Sequence, residues 1–180
     1  MGISVFLSYP VPFKIKQENF IKKLKKYLID RGFSARTLGV TDYDMKQPLT
    51  AIRRLMLESN GLLTIAFRRT LITEGIVNPN SEIKERAVTN LSDIWTTSAY
   101  CQIEPAMAYQ IGLPVLILRE KGVIADGILE RGVIDNYLPV FDLDSSVNYL
   151  DTDEWKQIIG SWEGYVRKVV ENKGCPPKLY

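Results

Sequence analysis

The side chain best suited to chemistry in this sequence is Glu104, which lies within the segment Ser98–Leu118, SAYCQIEPAMAYQIGLPVLIL. These 180 residues contain no histidine, which excludes a Ser-His-Asp triad, a Cys-His pair and a His-ligated zinc site within them. Acid–base or nucleophilic work must therefore fall to carboxylates, Lys, Tyr or Cys. A carboxylate suits reactions with an oxocarbenium-like transition state, which it stabilises or attacks.

Other polar and aromatic side chains follow three short strand-like runs, over residues 3–7, 33–38 and 62–67. Ligands of parallel α/β sheets bind where the strands end, so these side chains are candidates for binding. Turns, solvated loops and surface ion pairs use the same residue types, so each also has a purely structural interpretation. The candidates are Ser8, Tyr9, Asp42, Asp44, Arg68 and Arg69, with Trp95, Ser98 and Tyr100 nearer to Glu104.

The elements that must position these side chains alternate between strand and helix. Helical spacing of apolar residues predicts helices over 17–31 and 48–58, between the three strand-like runs. Pro105 is typical of a first helical turn, which would place Glu104 at a helix start, beside free backbone amides. The apolar run Leu113–Leu118 predicts a buried fourth strand, and 137–142 predicts an edge strand. The sequence thus predicts an α/β fold, a flavodoxin-like three-layer sandwich. Its five-stranded, mainly parallel sheet would have the order 2-1-3-4-5 with helices on both faces.

Two further stretches complete the expected organisation. A long insertion over about 68–97 interrupts the alternation, and we expect a short helix near 82–88 and a lid-like role, because compact domains rarely keep long structureless loops. Asp153 is expected to cap a C-terminal helix over about 153–172, whose apolar residues form one stripe. With no linker or repeat, residues 1–180 are expected to form a single domain.

The composition limits the partners and the cellular location that we expect. The net charge of +2 does not favour nucleic acid, and no apolar run approaches the length of a membrane span. With two cysteines no disulfide framework is implied, so we expect a cytoplasmic protein in which Cys101 is a small packed residue. No metal site is expected.

Two short motifs resemble those of Toll/interleukin-1 receptor (TIR) domains. Phe6–Tyr9 resembles their opening F-[LI]-S-Y, and Ser98–Glu104 resembles their S-x-W-C-x-x-E box, with Tyr100 where the family usually has tryptophan. The similarity covers roughly residues 3–142 in element order. It implies that Glu104 is the catalytic residue of an enzyme that cleaves NAD, as in those TIR domains that do so.

The same helix and strand are also similar to those of nucleoside 2-deoxyribosyltransferases and related nucleotide N-glycosidases. Glu104, Ala108, Gly112, Pro114 and Val115 match their pattern E-x-x-x-A-x-x-x-G-x-P-V. In that family a second carboxylate assists, which here would be Asp42 or Asp44. Both families break a bond between ribose C1′ and a nitrogen, so the two resemblances differ in substrate more than in chemistry.

The resemblances imply roles for the remaining candidates. Tyr9 would stack on a ring and Ser8 would bind a ribose or carboxamide, while the Asp pair would hold ribose hydroxyls and the Arg pair a pyrophosphate. Trp95 is either a core residue or a stacking platform. NAD would be a substrate with no cofactor needed, and its product ADP-ribose or a cyclic or derived nucleotide signal. We also expect self-assembly and a separate effector protein that senses the product, in bacterial antiphage defence.

The alternatives are a nucleoside or nucleotide N-glycosidase or transferase, and a non-catalytic nucleotide-binding or TIR assembly module. In the last case Glu104 would be only a first-turn glutamate favoured by the helix dipole.

Overall fold

The computed structural model of the chain describes residues 2–134, 137–172 and 175. Five strands form one sheet in which every neighbouring pair is parallel, in the order β2-β1-β3-β6-β7. The bounds of these strands are Ile3–Ser8 (β1), Phe33–Arg36 (β2), Leu62–Ala66 (β3), Val115–Glu120 (β6) and Val140–Phe141 (β7). This confirms the predicted α/β fold and its strand order, once the two strands of the insertion, which belong to a separate sheet, are set aside.

The described residues form four α-helices, which cover both faces of the sheet and have the bounds Ile15–Asp30 (α1), Pro48–Leu57 (α2), Tyr100–Gln110 (α3) and Asp153–Glu171 (α4). On one face, side chains of α1 and α4 such as Leu24 and Trp155 pack in one buried cluster with β1, β3 and β6. On the other, Leu55 of α2 and Ala108 of α3 pack against Phe6. The predicted C-terminal helix is confirmed, but the prediction that Asp153 caps it is wrong. Asp153 is its first residue, and the cap is Thr152, whose hydroxyl accepts from the Trp155 N–H at 3.2 Å. Within the described ranges, no helix has both the length and the apolar character needed to cross a membrane.

The insertion forms an antiparallel hairpin, so the prediction of a short helix over 82–88 is wrong. Its strands are Thr70–Val77 (β4) and Thr89–Thr96 (β5), and they make a two-stranded sheet of their own. Both strands are rich in Thr, Ile and other residues that favour extended backbone, and the stretch predicted to be helical lies in the connection between them. At its base, the Arg69 N–H donates to the Thr96 carbonyl at 2.9 Å.

Candidate active site

The candidate site is a cleft of about 360 Å³ at the carboxyl edge of the main sheet. Strand β2 lies on one side of β1 in the sheet and β3 lies on the other, so the direction in which successive strands are added reverses at β1. In open α/β sheets, ligands bind in the crevice outside such a reversal. The cleft is lined by Phe6, Leu7, Ser8, Tyr9, Pro10, Val11, Thr37, Leu38, Pro48, Ile52, Arg69, Ser98, Tyr100 and Glu104.

Helix α3 carries Glu104 into this cleft, but the helix begins earlier than the sequence predicted. Its first residue is Tyr100, whose N–H donates to the Ser98 hydroxyl at 3.3 Å, and Pro105 lies inside the helix. The predictions that Pro105 occupies the first turn and Glu104 the helix start are therefore wrong. Cys101, Glu104 and Ala108 recur at helical spacing and are all buried, so Glu104 lies on the face that packs against the sheet.

The Glu104 carboxyl is almost enclosed, with 7% of the residue exposed. Burial raises its pKa to about 7, and the nearby Ser8 hydroxyl offsets part of the rise. Among the described residues no Lys or Arg forms an ion pair with it. Glu104 lies in the second turn of α3 rather than among its free N-terminal amides, and desolvation is the largest cause that acts on its pKa. At neutral pH the Glu104 carboxyl is therefore present in both its protonated and its ionised form.

Ser8 ends β1 at the base of the same cleft and is only 2% exposed. Its hydroxyl completes no hydrogen bond of acceptable geometry with any described residue. Thr37, which follows β2, also lines the cleft, and its hydroxyl donates to the Leu7 carbonyl at 2.9 Å. Thr37 is a site residue that the sequence prediction did not include, although it is a polar residue at the end of a predicted strand, as Ser8 is.

Arg69 supplies the positive charge of the cleft. Its guanidinium donates from Nη1 to the Ser98 hydroxyl at 3.2 Å. Of the described residues that line the cleft, Arg69 is the only cation and Glu104 the only anion. The Arg69 guanidinium forms no ion pair with a carboxylate in the described part of the chain, and such a guanidinium beside a hydroxyl at a helix start binds phosphate oxygens well.

Two aromatic candidates also reach the cleft. Tyr100 is exposed at its rim, and Tyr9 lines it while packing against the core shared by α1 and α4. The Lys25 ammonium donates to the Tyr9 hydroxyl at 3.0 Å and lies 5.4 Å from the ring centroid. Ser8, Tyr9, Ser98, Tyr100 and Glu104 are therefore brought together as the sequence predicted.

Asp42 and Asp44 do not line this cleft. The Asp42 carboxylate accepts from Arg36 at 2.5 Å, and this guanidinium is the main cause that lowers its pKa. Asp44 accepts from the Lys46 N–H at 2.9 Å and from Arg54 Nε at 3.0 Å, and both lower its pKa. The two carboxylates thus belong to an ion-pair network beside the loop that follows β2.

Arg68 and Trp95 also lie outside the lining of the cleft. Arg68 Nε donates to the Lys121 carbonyl at 2.6 Å, and the Arg68 N–H donates to the Glu120 carboxylate at 2.8 Å. The guanidinium carbon of Arg68 lies 6.0 Å from the centroid of Trp95, on which Phe13 stacks at 6.3 Å. Trp95 is therefore a partly buried packing residue at the base of the hairpin.

Cys101, one helical turn before Glu104, is fully buried, which confirms the prediction of a packed residue. Burial raises the pKa of its thiol to about 12, so it is not a thiolate at neutral pH. In the described part of the chain, no group of three or more His, Cys, Asp or Glu side chains could hold a metal ion.

No protein-family model and no curated protein matches the chain. Among solved structures it is similar to the CMP N-glycosidase BcmB of Clostridium botulinum, at 16% identity over 88% of this chain and 98% of that one, with a TM-score of 0.47. It is also similar to the TIR domains of the activated Roq1 resistosome, at 16% identity over 67% of this chain and 58% of that one, with a TM-score of 0.41. A third similar structure is the flavoenzyme FerB of Paracoccus denitrificans, at 10% identity, over 94% and 95% of the two chains, with a TM-score of 0.35.

Proposed function

We propose that this chain is an N-glycosidase that uses Glu104 to cleave the bond between ribose C1′ and the nicotinamide nitrogen of NAD. The observation that carries the proposal is the buried carboxyl of Glu104, with no ion pair to a described residue, at the base of a cleft at the strand reversal. An ion-paired carboxylate would be neutralised already, whereas this one is available to a positive charge that develops in the substrate. The resemblance of Ser98–Glu104 to the TIR box supports the same assignment.

The charge on NAD suits this site. The nicotinamide ring is cationic, so its approach favours the ionised form of Glu104 and lowers the raised pKa in the complex. When the bond breaks, its electron pair leaves with the now neutral nicotinamide, and the sugar becomes an oxocarbenium ion beside the carboxylate. A water molecule then attacks C1′ and gives up a proton to Glu104, which yields ADP-ribose. Attack by a nitrogen or hydroxyl of the same nucleotide would instead give a cyclic product.

A nucleoside monophosphate is a second candidate substrate, and the raised pKa of Glu104 favours it. A neutral base is a poor leaving group until it is protonated, and a carboxyl with a pKa of about 7 is still protonated in about half of the molecules at pH 7. In that reaction Glu104 would act first as a general acid. Arg69 and Ser98 would bind the phosphate in either case.

The test is chromatography of products from the purified chain incubated with NAD, and separately with CMP and a panel of other nucleosides and nucleotides. Glu104→Gln should lower turnover by roughly 10²–10⁴-fold and leave ligand binding intact. Glu163→Gln is the matched control, because Glu163 is equally buried but pairs with Arg31 at 2.6 Å, and it does not line the cleft. Free nicotinamide from the wild type supports NAD as substrate, and free base from other nucleotides alone supports the second candidate. Binding without turnover at any protein concentration would instead indicate a non-catalytic module.

We further propose that the protein self-associates and that its product signals to a separate effector in bacterial antiphage defence, as the TIR resemblance implies. Strand β4 suits self-association, because among the described residues it pairs only with β5, and Glu74 is the one charged side chain among its eight residues. Ile76, which is largely exposed on β4, is the residue to change. Ile76→Lys should shift the concentration-dependent sedimentation of the protein toward monomer. An unchanged sedimentation profile would contradict a role for this edge.

A further inference from the structure

Two buried polar side chains outside the lining of the cleft hold the backbone from which Arg69 projects. Gln17 of α1 is 1% exposed, and Glu120, the last residue of β6, is 5% exposed. The two side chains meet, because Gln17 Nε2 donates to Glu120 Oε2 at 3.2 Å. Buried polar networks whose members are bonded to one another rigidify the segments that they join. The segments joined here therefore show what this pair does.

The hydrogen bonds of the pair converge on the main chain of Arg68. The Arg68 N–H donates to Glu120 Oε2 at 2.8 Å, and Gln17 Nε2 donates to the Arg68 carbonyl at 3.0 Å. One residue later, the Arg69 N–H donates to the Thr96 carbonyl at 2.9 Å. The planar peptide group between Arg68 and Arg69 is thus held at its oxygen and at its nitrogen. Its orientation sets the direction in which the Arg69 side chain leaves the backbone.

Gln17 also holds the loop that follows β1. Its Oε1 accepts from the Phe13 N–H at 3.1 Å. Pro10 and Val11 of this loop line the cleft, and Arg69 lines it from the segment that follows β3. A single buried side chain therefore joins two separate segments of the cleft wall, although it does not itself line the cleft.

We propose that Gln17 and Glu120 are positioning residues that direct the Arg69 guanidinium into the cleft and thereby set its affinity for phosphate-bearing ligands. This inference rests on the phosphate-binding role of Arg69 in the proposed function. Arg69 is exposed, and a free arginine side chain has many rotamers. Fixing its backbone restricts the guanidinium to the region where it bonds to Ser98, so less freedom is lost when a ligand binds.

Hydrogen bonding rather than charge carries the role of Glu120. Its Oε2 accepts from two N–H donors, and an amide oxygen accepts from the same kind of donor. Arg68 Nε lies 3.8 Å from Glu120 Oε1 and donates instead to the Lys121 carbonyl at 2.6 Å. Glu120→Gln should therefore preserve the position of Arg69. Glu120→Met, with a side chain of similar length and only a weakly accepting sulfur, should not.

The experiment measures the dissociation constants of NAD and of CMP by calorimetry. All variants are made in the Glu104→Gln background, in which we expect ligands to be bound and not consumed. Glu120→Met should weaken binding by about 10-fold, and Gln17→Met, which removes the donor to the Arg68 carbonyl, should do the same. Glu120→Gln should bind both ligands within about two-fold of the parent.

A double-mutant cycle distinguishes positioning of Arg69 from a general loosening of the fold. Once Arg69→Ala has removed the guanidinium, adding Glu120→Met should weaken binding no further. Two independent effects of about 10-fold would instead multiply to about 100-fold. Glu163→Met is the matched control, because Glu163 is equally buried and pairs with Arg31 outside the cleft. It should lower the thermal midpoint and leave both dissociation constants unchanged.

The inference is overturned if Glu120→Met or Gln17→Met binds like the parent, or if Glu120→Gln binds as weakly as Glu120→Met. It is also overturned if the effect of Glu120→Met persists in full in the Arg69→Ala background, or if Glu163→Met weakens binding equally. If Glu120→Met does not fold, Gln17→Met enters the same cycle in its place.

Binding is measured without turnover, which separates this inference from the function on which it rests. If the wild type releases base and the cycle shows independent effects, the inference falls and the N-glycosidase proposal stands. If the effects are coupled and the wild type releases base from no substrate, the N-glycosidase proposal falls and the positioning role stands. If the parent binds neither NAD nor CMP, both fall.

Discussion

Replacing Glu104 by Gln should stabilise the folded chain at neutral and alkaline pH. The folded-state pKa of Glu104 is about 7, against an ordinary value of 4.5, because burial disfavours the charged form. The folded state therefore holds a proton that the unfolded state has lost between these two pH values, and the free energy of unfolding falls as pH rises through this window. The difference of about 2.5 pKa units, at 1.36 kcal/mol each, corresponds to about 3 kcal/mol.

Glu104→Gln removes this penalty, since the amide is neutral at every pH and close in shape to the protonated acid. We expect the variant to exceed the wild type in unfolding free energy by about 3 kcal/mol at pH 8 and above. Below about pH 3.5, where the wild-type carboxyl is protonated in both states, the two proteins should be equally stable. Urea unfolding followed by circular dichroism at pH 5, 6, 7, 8 and 9 measures the difference directly.

Glu163→Gln supplies the control with the opposite sign. Glu163 is as buried as Glu104 but pairs with Arg31, so its loss should destabilise the fold. If Glu104→Gln were destabilising at pH 8, or its effect did not change between pH 5 and 8, the carboxylate would have an unrecognised partner. The argument from an unpaired buried carboxyl would then be refuted.

Three further results follow from the same structure. NAD turnover should rise with pH through an apparent pKa of about 7 or somewhat below, because this reaction needs Glu104 as the carboxylate. Release of a neutral base should fall over the same pH range, because that reaction needs Glu104 as the protonated acid. The pH profiles of kcat/KM distinguish the two. Arg69→Ala should raise KM for phosphate-bearing substrates about 10-fold or more, while Arg68→Ala, at a guanidinium held outside the cleft, should not change KM in steady-state kinetics. Asp42→Asn should leave kcat/KM within about two-fold of the wild type and lower stability by no more than about 1 kcal/mol in urea unfolding, since its carboxylate serves Arg36 near the surface; a large loss of activity would place Asp42 at the site after all.

The fold and the position of Glu104 follow from local features that the sequence displays. The buried strands are short apolar runs, and alternation with helical spacing predicted the parallel sheet and its order. Ser8 was selected because it ends a strand, and the strand order places that end beside the helix that carries Glu104. This part of the site was predictable because residues at the ends of neighbouring parallel strands must lie close together.

The parts that were not predictable depend on tertiary contacts. Pro105 suggested a helix start, but burial of Cys101 and Ala108 on the same face fixes the helix one turn earlier. The raised pKa of Glu104 likewise comes from the groups that enclose it, which no spacing reveals. Arg68 and Arg69 are adjacent in sequence, and only the direction of the chain entering the hairpin decides which of them faces the cleft.

The hairpin has a consequence for chain entropy and for engineering. The hydrogen bond from the Arg69 N–H to the Thr96 carbonyl holds the two ends of the insertion side by side. The insertion is therefore a closed loop, and the spacing of its ends does not depend on its length. At the far end of the hairpin, residues 78–88 form no hydrogen bond with a described residue of the main sheet or of the cleft lining. The tip of the hairpin is therefore the place at which the chain can be opened, lengthened or fused to a reporter while the geometry around Glu104 is preserved.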